Sequence, residues 1–429
     1  MAAQLKVSRR KTNETPLPYT ASPPYLLWSD IRLVLRYAWA LPMIFLPLHL
    51  RRTSSLDELQ LSFQSIVSVL VHLFLVVFQL IFLLSLPLLA IFPVPVPWAI
   101  VYIAACVAFN YAICMTMLNG FERVLQSQAP VAEQPWQRKE RWFYINGIAC
   151  GRYWVQNNID QLSYSFGRRI TGVHNRTAGI IFDLIECLIQ RGFAYATDDV
   201  RRAYVLLKEA LLDSSVEKVV LVLHSQGGIE GGLVIDWLLD ELPQDLLHQL
   251  EVYTFANAAN HFNNPVDSCQ APAHDSFRER MQPKRRSIKY IEHYANADDP
   301  VSWLGVLQFA NIPNRYLGRL FVRPGSGHLM NQHYLDNMFT LGPDKKVLES
   351  NAFMDMKVET SSDRDALPGR ESLKPAGELD EPDEETLSPL AQSAPVFQNG
   401  TPLSGQDYTK LQVKDFSRLW QYRNGGSPD

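Results

Sequence analysis

The sequence has few cysteines and no excess of basic residues, and both shortages exclude classes of protein. Its five cysteines are an odd number without a Cys-x-x-Cys pair, so neither a disulfide framework nor a cysteine zinc site is expected. The formal net charge of −4 leaves no surplus of lysine and arginine to neutralise phosphates. A nucleic-acid partner is therefore not expected. We expect neither a metal nor an organic cofactor.

A third absence is local, because residues 64–119 contain no Asp, Glu, Lys or Arg. Two apolar runs, at 64–86 and 98–119, are each long enough to cross the ~30 Å hydrocarbon core of a bilayer as a helix. Pro87 and the prolines at 93, 95 and 97 should end the first helix and form the reversal. The pattern predicts a membrane hairpin. Two geometries stay open: two full transmembrane helices, or a monotopic hairpin whose turn stays within one leaflet or a lipid-droplet surface.

Basic residues flank both outer ends of this hairpin, with Arg51 and Arg52 before it and Arg123 after it. By the positive-inside rule both ends face the cytosol. We therefore expect the lipid bilayer as a partner, in an endomembrane such as the endoplasmic reticulum or a lipid droplet. Residues 1–63 form an N-terminal cytosolic or interfacial segment, in which the proline-broken apolar stretch 33–50 is expected to lie at the membrane interface.

Two further segments are polar. Residues 120–140 contain the prolines and polar residues typical of a linker. From residue 343 to 429 the chain is rich in Pro, Glu, Asp and Ser. Such a composition buries too little apolar surface to offset chain entropy and predicts a disordered acidic tail. Its last stretch, "DFSRLWQYR" at 415–423, could fold on a partner or a membrane, but disorder is the favoured interpretation. No particular protein partner is predicted.

Between residues 141 and 342, short apolar runs alternate with helical patterns, as in a parallel sheet covered by helices. The predicted strands are 141–146, 168–174, 218–223, 251–256, 287–295 and 319–324. Helical periodicity is found at 157–166, 178–191, 199–213 and 228–242. The β-branched run "KVVLVL" suits a central strand buried on both faces. The predicted fold class is α/β, a mostly parallel sheet flanked by helices, preceded by the hairpin and followed by the tail.

The stretch "LVLHSQGGIEGG" at 221–232 joins the central strand to a helix, and Ser225 lies at the junction. A serine held in a strained turn needs small residues after it, which Gly227 and Gly228 provide. The pattern approaches the nucleophile elbow G-x-S-x-G, with Leu223 in place of the first glycine. On "HSQGG" and two later pieces, in the order Ser, Asp, His, the core resembles the α/β-hydrolase superfamily, most nearly its lipase-like serine esterases.

The resemblance implies a catalytic triad. Its acid is expected in "YANADDPVSW", where Asp299 is preferred to Asp298 because the D-x-V pattern resembles the acid loop of the family. An aspartate here could also merely cap the next helix. The base is expected in "RPGSGHLMNQHYLDNMF", where "GHL" nominates His328 and leaves His333 as the runner-up.

The resemblance also implies two backbone donors for a negatively charged oxygen. One is the N–H of Gln226, directly after the nucleophile, and the other lies near Ile148 in the loop "INGIACG" after the first strand. Asn146-Gly147 stands where relatives often have His-Gly, and a plain turn is an equally good interpretation. His224, His174 and His261 are expected to be structural.

These expectations combine into a membrane-anchored serine hydrolase that cleaves carboxylic esters, with lipid or acyl substrates suggested by the anchor. Its domain would face the cytosol. Two alternatives stay open. A non-catalytic adaptor with a hydrolase fold is favoured by Leu223, and an acyltransferase or thioesterase would use the same three residues. A cover over the site is a further possibility, for which 263–286 is a candidate.

Overall fold

A seven-stranded sheet forms the centre of the structure, a computed structural model that describes residues 17–48, 54–266, 286–357, 397–398, 401–402 and 412–428. Its strands are β1 (Val124–Gln126), β2 (Glu140–Ile145), β3 (Ile170–Val173), β4 (Lys218–His224), β5 (Leu250–Phe255), β6 (Tyr290–Asn296) and β7 (Arg319–Arg323). Their spatial order is β1-β3-β2-β4-β5-β6-β7. The β1 strand is antiparallel to β3, and all other neighbours are parallel. A separate antiparallel pair joins β8 (Phe397–Gln398) to β9 (Thr401–Pro402).

The α-helices connect and cover these strands. They are α1 (Pro23–Tyr37), α2 (Phe63–Ile91), α3 (Val96–Ile113), α4 (Arg152–Phe166), α5 (Ile180–Phe193), α6 (Asp198–Leu212), α7 (Gly227–Glu241), α8 (Gln244–Leu247), α9 (Pro300–Leu304), α10 (Val306–Phe309), α11 (Asp336–Met338), α12 (Val413–Phe416) and α13 (Arg418–Gln421). The mixed α/β fold with a mostly parallel sheet is confirmed, and each predicted strand overlaps one of β2 to β7.

The central strand β4 separates two layers of core. Val219, Leu221 and Leu223 face the side covered by α5, α6 and α7. Val220 and Val222 face the side covered by α4 and the chain after β7. Because neighbouring residues of a strand point to opposite faces, a continuous apolar run is what burial on both sides requires.

The predicted linker needs correction, because residues 120–140 contain β1. This strand pairs with β3 at the edge of the sheet, with Val124 opposite Val173. A three-residue strand is too short to show the alternating pattern that identifies strands in a sequence. The segment therefore belongs to the α/β body.

The two apolar helices are α2 and α3, and both are long and apolar enough to cross a membrane. The prediction that Pro87 ends the first helix is wrong, because α2 continues to Ile91. A proline removes one backbone donor, and in apolar helices local adjustment tolerates the loss. The reversal follows at residues 92–95, and a wider helical turn (Cys114–Asn119) extends α3 to the predicted end.

The prediction of a disordered tail needs correction at both of its ends, while residues 358–396 and 403–411 lie outside the described residues. Val347 and Phe353, which follow α11, are buried. Leu419, Trp420 and Tyr422 are buried near the C-terminus. These side chains complete the core on the α4 side of the sheet. The stretch 415–423 therefore folds on the chain itself. Average composition hid these few apolar residues among the acidic ones.

The N-terminal segment also packs on the body, through α1. Asp30 of α1 forms a buried ion pair with Arg191 of α5, with 2.9 Å between the carboxylate and guanidinium. The outer side of α1 exposes Trp28 and Leu35. Part of the stretch expected at the membrane interface is thus a helix with one face on α5 and apolar residues on the other.

Candidate active site

Ser225 lies directly after β4 in a strained turn. Its φ of +57° falls in the left-handed region that side chains rarely adopt, and such strain concentrates at functional sites. Neighbouring glycines allow the tight approach. A Cβ atom on Gly227 would lie 2.4 Å from the Ile145 carbonyl oxygen, and one on Gly228 would lie 2.2 Å from Asn257. The two predicted elbow glycines are therefore required by space at the start of α7.

Leu223 replaces the first elbow glycine without disturbing this turn, because Gly231 of α7 makes room for it. A Cβ atom on Gly231 would lie 2.3 Å from the Leu223 Cδ1 atom. Leu223 is fully buried in the core between sheet and helix. The glycine that makes space between strand and helix is Gly231 of α7, one turn after Gly227, and not a residue of β4. Sequence reasoning missed this exchange, although the second glycine pair in "GGIEGG" was its signal.

The structure brings Ser225, His328 and Asp299 together in a chain of hydrogen bonds. The His328 Nε2 atom lies 2.9 Å from the Ser225 Oγ atom, and the His328 Nδ1 atom lies 2.9 Å from the Asp299 Oδ2 atom. Because the carboxylate accepts from the Nδ1–H group, Nε2 is the acceptor for the serine hydroxyl. All three residues are buried. This geometry lets the imidazole remove the proton of the hydroxyl.

Asp299 is held by more than the histidine. The Tyr334 hydroxyl donates to Asp299 Oδ2 at 2.8 Å, and the Val301 N–H donates to Oδ1 at 2.9 Å. Burial tends to raise the pKa of Asp299, but the charge of His328 and these hydrogen bonds outweigh it and hold the pKa below its usual value. The carboxyl is therefore ionised when it faces the imidazole. Asp299 also caps α9, so the capping interpretation and the triad position apply to the same residue.

Sequence reasoning missed Tyr334 and Ser302, which both contact Asp299 Oδ2. The Ser302 hydroxyl donates to this oxygen at 3.2 Å, while the Tyr334 hydroxyl also accepts from the Asn296 N–H at 2.9 Å. Nothing in the local sequence around a lone tyrosine or serine indicates such a contact. Only the return of the chain after β7 brings Tyr334 beside Asp299.

The runner-up residues lie elsewhere. Asp298 donates its backbone N–H to Gly325, and the contact with His328 is made by its neighbour. The His333 ring accepts from the Leu329 N–H at 3.1 Å and approaches the Pro47 carbonyl oxygen at 3.1 Å. His333 thus contacts the start of its own helical turn and the N-terminal segment.

The three other histidines have structural partners. His224 is buried and donates from Nε2 to the His328 carbonyl oxygen at 2.8 Å. Burial, together with the charge of His328, lowers the pKa of His224 to about 3, so its ring stays neutral. His174 donates to the Cys150 carbonyl oxygen, and His261 contacts Asp236.

Gln226 is fixed by its side chain. Its Oε1 atom accepts from Asn175 at 2.7 Å, and its Nε2 atom donates to Glu186 and Gln190, both at 3.0 Å. Burial raises the pKa of the Glu186 carboxyl to about 7. These contacts hold the residue after Ser225 in place at the start of α7. Among the residues described, its backbone N–H has no hydrogen-bond acceptor.

The loop after β2 lies against the nucleophile. A Cβ atom on Gly147 would lie 2.5 Å from the Ser225 Cβ atom. Asn146 braces this loop by accepting from the Asn175 N–H at 3.0 Å and donating to the Asn175 carbonyl oxygen at 2.8 Å. Ile148 follows directly, and the next N–H, of Ala149, already donates to Asp183. The loop that contains Ile148, the residue expected to supply the second backbone donor, therefore lies beside Ser225.

The position of the site follows from the order of the strands. From β2 the chain goes to β3 on one side and later to β4 on the other. A crevice opens at such a switch point, outside the carboxyl ends of the strands, and ligands of α/β proteins bind there. Gly147 follows β2 and Ser225 follows β4, so both stand at this crevice.

The residues after α1 lie over the histidine loop. The Ile44 carbonyl oxygen accepts from the His328 N–H at 3.1 Å, and Trp39 packs near Trp303 of α9 at 6.1 Å between ring centres. Residues 267–285, most of the candidate cover, lie outside the described residues. The segment 38–48 contacts His328 itself, and Glu58, before the hairpin, accepts from the Asn331 N–H at 2.9 Å just after the base.

A scan of the chain against protein-family models finds no matching family, and a search of curated proteins finds no match. A functional conclusion therefore depends on the positions of the side chains. The most informative of these positions is the chain of contacts from Ser225 through His328 to Asp299.

Proposed function

We propose that the protein is a membrane-anchored serine hydrolase that cleaves carboxylic esters. The observation that carries this proposal is the Ser225–His328–Asp299 chain, with both inter-residue distances at 2.9 Å. The serine stands in a left-handed turn at the carboxyl end of the central strand, where a nucleophile elbow is expected. This combination of fold, turn and triad supports assignment to the α/β-hydrolase superfamily.

In the proposed mechanism, Ser225 Oγ attacks the ester carbonyl carbon while His328 Nε2 takes the hydroxyl proton. Asp299 holds the imidazole in the tautomer that can accept this proton and stabilises the imidazolium. His328 then gives the proton to the leaving alcohol, and an acyl-serine remains. Water attacks the acyl-serine with His328 again as the base, which releases the acid and restores Ser225.

The tetrahedral intermediates carry a negatively charged oxygen that needs hydrogen-bond donors. We assign these donors to the backbone N–H groups of Gln226 and Ile148. Two observations support the assignment: the Gln226 side chain is fixed by three hydrogen bonds, and the Gly147 backbone before Ile148 is within contact distance of Ser225. Positive partial charge at the start of α7 would favour the same oxygen.

We propose the substrate class from the two apolar helices that would anchor the protein in a bilayer. The two apolar helices α2 and α3 leave from the same body that holds Ser225, and a bilayer beside the site would supply lipid or acyl esters. An endomembrane such as the endoplasmic reticulum or a lipid droplet, with the α/β body on the cytosolic side, agrees with the flanking arginines.

A fluorophosphonate probe tests the proposal directly, because it reacts with a serine only when a base activates it. The full-length protein in membranes should be labelled, and Ser225→Ala should abolish labelling. Ser214→Ala, at an exposed turn before the amino end of β4, is the matched control because Ser225 follows the opposite end of that strand, and it should label like the wild type. An unlabelled wild type in membranes that contain other labelled hydrolases would refute the assignment.

Two alternative functions are compatible with the same arrangement of residues. The adaptor hypothesis was favoured by Leu223, and that support is weakened by the room that Gly231 provides. An acyltransferase or thioesterase would keep the triad and change only the acceptor or the leaving group. Parallel assays with an ester, a thioester and an added acceptor alcohol distinguish these activities by their products.

A further inference from the structure

One row of residues on α2 attaches the hairpin to the α/β body. The buried residues of this helix are Ser65, Ser68, His72, Leu75, Gln79 and Phe82. Their spacing of three or four residues places them on one helical face. That face contacts the body, with the His72 ring 6.0 Å from Trp154 of α4. The opposite face is apolar and exposed along the same length.

The polar contact between hairpin and body that lies nearest the hairpin turn is at the start of α5, where α2 and α3 both meet the body. The Ala178 carbonyl oxygen accepts from Gln79 at 2.6 Å and from Asn110 at 2.8 Å. Gln79 also donates to Asn110 at 2.9 Å and accepts from the Ile181 N–H at 3.1 Å. These contacts join one residue of α2 and one residue of α3 to the same point of the body. We call this point the root of the hairpin.

The part of the hairpin beyond the root is short. It comprises residues 80–91 of α2 and 96–109 of α3. At 1.5 Å per residue these helical segments measure about 18 Å and about 21 Å. The hydrocarbon core of a bilayer measures ~30 Å. The turn at residues 92–95 therefore ends well short of the opposite headgroups unless the body itself enters the hydrocarbon.

The loop beside the root and the segment after α3 carry charged side chains, which disfavour entry of this part of the body into the hydrocarbon. The loop after β3 lies there, and next to it Glu122 and Arg152 form an exposed ion pair directly after the second hairpin helix. Arg176 lies on the same loop and contacts Met115, below the root on the second hairpin helix. Charged side chains at membrane depth are costly and pair inside protein or face water. The root therefore lies at the level of the headgroups.

We propose that the hairpin is monotopic, with its proline turn inside the bilayer and the acyl chains of the leaflet nearest the body as its main partner. The row Ile185, Ile189 and Phe193 on α5, which are 38%, 39% and 50% exposed, extends the apolar surface from the root along the body. The described segments before and after the hairpin, together with Ser225, then lie on one side of the membrane. The inference rests on the membrane anchoring in the proposed function and not on ester hydrolysis.

Labelling of one cysteine tests the position of the turn. The full-length chain carries Val94→Cys as its single cysteine, with the five natural cysteines replaced, in sealed microsomes treated with a membrane-impermeant maleimide. The variant should resist labelling in intact microsomes and after the lumen is opened, and should react once detergent dissolves the bilayer. Ser214→Cys in the same background is the control and should react in intact microsomes.

Each other result has a defined meaning. Labelling of the Val94→Cys variant only when the lumen is opened would show two full spans and overturn the proposal, as would labelling in intact microsomes. Insertion of seven leucines into each helix beyond the root, after residues 84 and 103, adds about 10 Å and should make the turn reactive from the lumen. Release of the wild type by alkaline carbonate would instead refute the anchoring.

A second measurement needs no cysteine replacement. Trp98 is exposed at the start of α3, next to the turn, and the fluorescence difference between wild type and Trp98→Phe isolates its signal. In vesicles, lipids with a spin label near the bilayer centre should quench this difference more than lipids labelled at the headgroup. The opposite order would place the turn at a membrane surface and overturn the proposal. Neither experiment depends on catalytic activity.

Discussion

The carboxyl and amino ends of the sheet both bury carboxylates, and the two ends pair them with different partners. At the amino end, Glu140 faces Arg168 at 3.0 Å and Glu251 faces Arg418 at 2.8 Å. At the carboxyl end, Asp299 faces His328 at 2.9 Å. The side chain of the acid is buried in all three pairs.

The difference lies in what each partner can do with its proton. A guanidinium keeps its charge under all ordinary conditions, so the pairs at the amino end are fixed. An imidazole gains and loses a proton near neutral pH. A buried acid beside an arginine therefore indicates a structural role, while a buried acid beside a histidine that contacts a hydroxyl indicates proton transfer.

The largest expected effect follows from removing the titratable partner. In the full-length protein, His328→Ala should lower ester hydrolysis by at least about 10⁴-fold, because triad members act as a unit. The thermal midpoint should fall less than after loss of an arginine at the amino end, because Asp299 keeps hydrogen bonds from Tyr334, Ser302 and the Val301 N–H. His261→Ala, which removes a histidine that contacts Asp236 instead of Ser225, serves as the control and should retain activity. Hydrolysis by His328→Ala within tenfold of the wild type would contradict the proposed role.

At the amino end, loss of the arginine partner should lower stability and leave hydrolysis unchanged. Arg418→Met leaves Glu251 buried without its ion pair and should lower the free energy of unfolding by about 3–5 kcal/mol. Hydrolysis per probe-reactive site should stay unchanged in the molecules that remain folded. Thermal denaturation in detergent measures the loss, and Glu251→Gln combined with Arg418→Met should restore part of it. Equal stability of the single variant and the wild type would remove the distinction between the two ends.

A smaller effect is expected where Leu223 meets the helix after the nucleophile. Gly231→Ala places a methyl group against the Leu223 side chain, within 2.3 Å of Cδ1, and overpacking of this kind costs about 1–3 kcal/mol. Leu223→Ala combined with Gly231→Ala should recover both stability and probe labelling relative to Gly231→Ala. Additive losses in the double variant would show that the two residues do not compensate each other.

Tyr334 allows a test within the carboxyl end, where it acts as a positioning residue. Tyr334→Phe removes the hydrogen bond to Asp299 and should lower kcat by about tenfold, the equivalent of a contribution of about 1.4 kcal/mol. KM should stay unchanged, because Tyr334 contacts the acid and not the substrate. A rise in KM with unchanged kcat would argue against this role.

The smallest effect concerns pH, and β6 allows the two ends to be compared on one strand. Burial raises the pKa of Glu292 near its start, whereas the pKa of Asp299 beyond its end is lowered by His328 and hydrogen bonds against the effect of burial. Because the pKa of Glu292 is raised in the fold, its contribution to stability is present below the usual value of 4.5 and falls as pH rises above it. Asp299 contributes above its usual 3.8, and this is lost as pH falls through the lowered value.

Thermal midpoints measured against pH check these signs. Relative to the wild type, Glu292→Gln should gain stability as pH rises above the usual glutamate value of 4.5. The destabilisation of Asp299→Asn should shrink as pH falls below about 4. Parallel pH profiles for the two variants would contradict the comparison.

Much of the sheet was predictable, because a strand buried on both faces needs a continuous apolar run. The run at 218–223 predicts β4 for this reason, and the glycines after Ser225 predict the tight turn. By contrast, β1 and the C-terminal helices α12 and α13 leave weak patterns, because so few residues form them. Their positions depend on surfaces supplied by β3 and by the α4 side of the sheet.

The sequence alone determined an α/β body with a charge-free hairpin, since periodicity and the absence of charge act locally along the chain. The tertiary structure decided which of two adjacent aspartates contacts His328 and which of two histidines contacts Ser225. It also decided how Gly231 accommodates Leu223 and how far the hairpin extends beyond its root. The contacts of the triad join residues far apart in the chain, so a local pattern can nominate these residues but cannot bring them together. They form only when the strands align and their carboxyl ends converge.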